Sequence, residues 1–193
     1  MPELILPAPP VVRQQERHIC WAAAYESWCR AQGLSNSTTS ASRMVELLAQ
    51  VGRRGAQGQG AIVDANERLL PNGIPLLAQI AGMRVRLVSP RALSAEFLVA
   101  QLGQGYVWLW GTPREGNVAH IVVVHGVDRQ ERVLYMDPLL GLTQVPLGEM
   151  AKRMRIFAVG TPLFPRVQGN PFAGMGTAAA PRPAAPGPLA PFG

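Results

Sequence analysis

Cys20 opens a segment, Cys20 to Gln32, rich in Ala, Glu, Arg and Gln and closed by Gly33, so the spacing predicts a helix with the cysteine at its start. A thiol there sits among backbone N–H groups that lack intrahelical acceptors and at the positive end of the helix dipole, which favours thiolate over thiol. Such a cysteine is a candidate nucleophile. Gln14, six residues upstream, could place a side-chain N–H beside the backbone N–H of Cys20 and hold an oxyanion between them, and Gln15 could do the same. Candidates for a base are His18, His120 and His125, and for an acid Asp128 and Asp137. Strand alternation points His120, Val122 and Val124 one way and His125 the other. The hairpin formed with Val133 to Met136 brings Asp137 back beside His120. Nucleophile, base and orienting acid are thus available from three separate segments. His125 reads as a core or edge histidine, His18 as a local loop residue, and Asp128 as a solvated turn residue. Cys29 reads as a small buried hydrophobe.

The pattern of Gln14, five residues, then Cys20-Trp21 resembles the signature of papain-like cysteine peptidases. In that family a histidine opens a hydrophobic strand with a glycine six positions later, as His120 and Gly126 do here, and an Asn or Asp follows on the next strand, as Asp137 does. The Asp137-Pro138 pair resembles the bacterial branch, which includes bacteriocin-leader-processing and secreted effector peptidases. The resemblance implies a Cys20, His120, Asp137 triad with Gln14 preferred over Gln15 as oxyanion donor, and no cofactor or metal. It implies a cysteine peptidase acting on a protein or peptide substrate, in an effector or toxin setting, with an inhibitor or immunity protein as a further partner. The same triad could instead serve a glutamine deamidase or an acyltransferase, or persist in an inactive binding module. One departure is Ile19, where the family commonly has serine.

Three elements must hold these residues, and the rest of the chain supplies them. Residues 1–13 read as an extended proline-rich lead-in. After the Cys20 helix, Ser40 or Ser42 caps a helix through Gln50 with Met44, Leu47, Leu48 and Val51 on one face. Gly52 to Gly60 reads as a mobile loop, Ala61 to Leu70 as a short helix, and a further helical piece runs to Gly82. Met83 to Val88 alternates as a strand, and a helix runs from Ser89-Pro90 to Leu102. From Tyr106 the period becomes two: Tyr106, Trp108 and Trp110 share one face and Val107 and Leu109 the other, so this strand is central. Residues 113–117 read as a turn, His120 to Val127 as a strand, and Leu147 to Met154 as a helix before a last strand, Ile156 to Val159. The fold class is α+β, with a helical first half whose nucleophile helix packs on an antiparallel second half. The domain is residues 14–160, followed by a Pro/Ala/Gly-rich tail, 161–193, that reads as disordered.

The 193 residues suit one domain, and 48% hydrophobic residues suit a globular core. The net charge of +6 is spread along the chain, which favours a solvated surface over a nucleic-acid footprint. Cys20 and Cys29 lie roughly 13 Å apart along a helix and cannot bridge, and the histidines lack the paired spacing of a zinc site. No stretch approaches the ~20 apolar residues of a membrane span. The chain reads as made in the cytoplasm, with any delivery by a route independent of a signal peptide.

Overall fold

Both faces of the tryptophan strand are apolar because both are covered. In a computed structural model, which describes residues 2–14, 19–34, 40–54, 62–64, 68–114 and 119–163, Val107–Pro113 (β3) lies inside a sheet with helices on either side. Leu4–Ile5 (β1), Met83–Val88 (β2), His120–Val127 (β4), Arg132–Asp137 (β5), Gly141–Pro146 (β6) and Met154–Pro162 (β7) complete it. The order is β2-β7-β3-β4-β5-β6, with β1 joining β4, and every pairing is antiparallel. The helices are Cys20–Ala31 (α1), Ala41–Arg54 (α2), Ile74–Ala81 (α3), Ala95–Leu102 (α4) and Leu147–Arg153 (α5). The architecture is the expected α+β one.

One core lies between α1 and the sheet. Trp21, Tyr25 and Trp28 meet Trp108, Trp110, Ile121, Val123 and Met136, all from one face of the strands. The opposite face carries Leu109, Val122, Val124, Phe157 and Val159 against Leu98 and Leu102 of α4 and Met150 of α5. Of the α1 residues only Arg30 is exposed. A helix covered on every side needs small residues at its closest contacts, and Ala22, Ala23 and Ala24 supply them. Its one buried carboxylate is satisfied: Glu26 pairs with Arg30 and accepts the N–H of Ala41 at the start of α2. Gly33, at φ 72°, takes the left-handed turn that ends the helix.

Several expected boundaries move. No helix forms at either end of the Ala61 to Leu70 stretch: Val63 bridges to Leu69, and the Asp64 side chain accepts the N–H of Arg68 at 3.0 Å. Asp competes for backbone donors in this way, and Pro71 forces Leu70 extended. The helix expected from Ser89 is broken into a 3-10 turn, Pro90–Ala92, and α4, because Ser94 caps α4 through the N–H of Phe97. Ser40 caps α2, which continues to Arg54. Pro113 ends β3 at a register shift and does not begin the turn. No sequence pattern marks β6, and β7 exceeds its expected bounds at both ends. Residues 55–60 of the glycine-rich loop, 61 and 65–67 of the Ala61 to Leu70 stretch, 115–117 of the expected turn and 164–193 of the tail lie outside the described residues. Among the described residues no helix is long and apolar enough to cross a membrane.

Candidate active site

Cys20 is the first residue of α1, preceded by Ile19, whose side chain makes no cap. The carbonyl of Ile19 accepts the N–H groups of Ala22 and Ala23 at 3.0 and 3.2 Å, and the Cys20 N–H, in the first turn, has no intrahelical acceptor. The thiol lies in the wall of a cavity of about 740 Å³ between α3, β2 and the end of the sheet. That cavity is mainly apolar, with Trp21, Leu69, Ile74, Val85, Trp110 and Ile121 among its lining residues.

His120 is the first residue of β4. The β4–β5 register pairs Val123 with Met136, and one further step sets Asp137 opposite Val122. His120 and Asp137 therefore share a face as diagonal neighbours, close enough for long side chains to meet. They do meet: the imidazole Nε2–H donates to Asp137 Oδ2 at 2.7 Å. That leaves the other ring nitrogen, Nδ1, for the Cys20 thiol, which is near enough to raise the imidazole. Burial pulls the imidazole down, but its hydrogen bonds and charge interactions with Asp137 and Cys20 outweigh that and push it up to about 9. Burial likewise works against the Asp137 carboxylate, which is nevertheless held below the ordinary range by His120 and by the N–H groups of Leu139 and Leu140. Those two donate to Oδ1 at 2.7 and 3.2 Å, so both carboxylate oxygens are engaged.

Gln14 arrives from the lead-in, which is stitched along the domain. Leu4 and Ile5 pair with Val127 and Gly126, Tyr106 Oη donates to the Pro7 carbonyl, and Ser27 Oγ to that of Pro10. The Gln14 N–H then donates to the Pro138 carbonyl at 3.1 Å, directly beside Asp137. Its side-chain Oε1 is buried and has no partner among the described residues. A rotated amide would place the N–H pair there instead, since the two orientations are assigned from hydrogen bonding.

The other candidates are elsewhere. Cys29 is 1% exposed, and burial pushes its thiol up to about 11. His125 is buried and its Nδ1–H donates to the Leu6 carbonyl, tying down the lead-in. Asp128 is not the solvated turn residue expected: it is buried and accepts from Gln130 N–H, Arg132 N–H and the Arg132 guanidinium, which closes the β4–β5 turn. Gln15 and His18 lie outside the described residues. Leu139, Leu140 and Arg13, which shape the surroundings of Asp137, were not singled out in the sequence; the Asp-Pro pair is the one signal that a turn is built there.

The arrangement of α1 packed against an antiparallel sheet, with Cys20, His120 and Asp137 at one end of it, is similar to that of solved structures. The peptidase domain of Streptococcus ComA, a bi-functional ABC transporter involved in a quorum sensing pathway, matches with a TM-score of 0.53 and 19% identity over 79% of this chain and 97% of that one. A double glycine motif protease from an AMS/PCAT transporter, solved in complex with the leader peptide, matches at 0.44 and 17% over 84% and 99%, and the Pseudomonas avirulence protein AvrPphB at 0.41 and 10% over 78% and 94%. No protein-family model and no curated protein matches the chain. The likeness to the ComA domain shows the fold, and the fold of this chain is the papain-like one.

Proposed function

We propose that the protein is a cysteine peptidase that hydrolyses peptide bonds of a protein substrate through a thioester. The observation that carries this is the imidazole of His120 bonded to Asp137 at 2.7 Å and near the Cys20 thiol at the head of α1. In the resting pair the imidazolium faces the thiolate. The sulfur attacks the carbonyl carbon of the scissile bond, forming the S–C bond, and the oxyanion is held by the Cys20 N–H and the Gln14 amide, each worth roughly 3 kcal/mol as a well-aimed donor. The imidazolium gives its proton to the leaving nitrogen as the C–N bond breaks. The neutral imidazole then takes a proton from water, whose oxygen attacks the thioester, and the S–C bond breaks to restore the pair. Asp137 keeps Nε2 engaged throughout and stabilises the charged ring. The apolar cavity beside Cys20 suits an apolar side chain of an extended peptide.

The setting we favour is a bacterial effector or toxin, supported by the small domain and its low-complexity tail. The test is exposure of a denatured proteome to the protein, followed by mass spectrometry of new N termini. Cuts that vanish in Cys20→Ala and His120→Ala support the reading. Ammonia release without new termini would make it a deamidase, and full biological activity of Cys20→Ala would make it a binding module.

A further inference from the structure

Asp137 receives two backbone N–H groups, and the peptide groups that provide them are gripped at both ends. The N–H of Leu139 belongs to the peptide whose carbonyl is that of Pro138, and that oxygen accepts the Gln14 N–H at 3.1 Å. The N–H of Leu140 belongs to the peptide whose carbonyl is that of Leu139, and that oxygen accepts Arg13 Nη1 at 2.5 Å. Two consecutive peptide planes thus have the lead-in on one side and the carboxylate on the other. Hydrogen bonds in series polarise one another and fix the planes against rotation.

Side-chain packing does not hold this turn. Leu139 and Leu140 are 59% and 63% exposed. Gly141, which ends the turn at φ 89°, lies close under the guanidinium: a Cβ there would come within 3.1 Å of Arg13 Nη2. The arginine fork occupies the space a side chain would need, which keeps it over the Leu139 carbonyl.

We infer that Arg13 is a positioning residue for the His120–Asp137 pair, acting through the Leu139 carbonyl to aim the N–H that orients the Asp137 carboxylate. Its importance for catalysis rests on the peptidase reading above, but its effect on the imidazole does not. The groups around that imidazole are Asp137 from β5 and Cys20 from α1, and Tyr135 and Arg153 line the smaller cavity, of about 240 Å³, that His120 and Asp137 also line.

The experiment is an NMR titration of the His120 ring in the wild type, Arg13→Met, Arg13→Lys and Asp137→Asn, with iodoacetamide labelling of Cys20 on the same samples. Arg13→Met keeps the stem and removes the donor. Positioning predicts that the His120 midpoint falls by about 0.5 pH unit or more in Arg13→Met, with slower labelling, and that Arg13→Lys restores most of both. If Arg13 acted only as a nearby cation, its removal would raise the midpoint, so a rise overturns the inference, as does a midpoint unchanged in Arg13→Met. The Asp137→Asn sample separates the two readings. A His120 that ignores Asp137→Asn removes the triad itself, whereas one that responds to Asp137→Asn but not to Arg13→Met removes only the role of Arg13.

Discussion

Asp137→Asn is the substitution that weighs charge against geometry in the pair. Asparagine keeps the outline but has a single acceptor oxygen, which can serve either the His120 Nε2–H or the N–H groups of Leu139 and Leu140, so the charge is lost together with one of these two sets of bonds. His120 is held at about 9 against an ordinary 6.5. Burial, which pulls it down, stays, and the hydrogen bond to Asp137 is the first of the influences that raise it, followed by the Cys20 thiol and the charge of Asp137. The midpoint should therefore move toward 6.5. At pH 7.5 an imidazole at about 9 is ~97% protonated and one at about 6.5 only ~9%, so the imidazolium that supports the thiolate falls about tenfold. Iodoacetamide labelling near pH 7.5, with mass spectrometry separating Cys20 from Cys29, should slow by a similar factor. A labelling rate and a His120 titration both within error of the wild type would refute the reasoning, because the carboxylate would then contribute no charge to the ring.

Cys29 should stay unlabelled at neutral pH until the protein unfolds, because it is buried and its thiol is pushed up to about 11; labelling at the rate of Cys20 would contradict this burial. Gly160→Ala should cost about 1–3 kcal/mol in urea unfolding, since a Cβ would strike the Met83 sulfur and lie 3.3 Å from the Trp108 ring; an unchanged midpoint would mean that core is loosely packed. The raised imidazole contributes stability that is complete below about 6.5 and is lost as pH rises through about 9. The lowered carboxyl of Asp137 contributes above its ordinary 3.8 and loses its share as pH falls through its folded value. Melting temperatures of wild type and His120→Asn should thus differ most between about pH 4 and 6.5 and converge toward pH 9 and above; a constant difference would assign the effect to packing.

Much of the central framework can be read from residue pattern alone. Alternation gives the faces of β3 and the bounds of β4, and the composition and glycine of α1 give its length. The hairpin that sets Asp137 beside His120 follows from the same period of two. β6 escapes this reading because an edge strand starting at glycine and ending at proline, with alternate residues exposed, has too little apolar signal. The Ala61 to Leu70 stretch misleads because helix propensity is weak against an Asp that closes its own loop. Asp128 misleads for a related reason: a turn acid beside arginine reads as solvated, and only the folded hairpin reveals three donors converging on it. The grip on the Asp137 turn is hidden most completely. It is made by backbone carbonyls, which composition does not describe, and between segments more than a hundred residues apart.

The stitched lead-in also dictates when the molecule can become reactive. Leu4 and Ile5 are synthesised more than a hundred residues before their partners, Gly126 and Val127, and the turn that receives Arg13 and Gln14 comes later still. Closing loops of that span is slow compared with forming α1. A half-folded chain would hold a formed α1 before the His120–Asp137 pair is assembled beside its thiol. In refolding experiments the far-ultraviolet helical signal should return before rapid Cys20 labelling does; simultaneous recovery in one phase would remove that built-in delay.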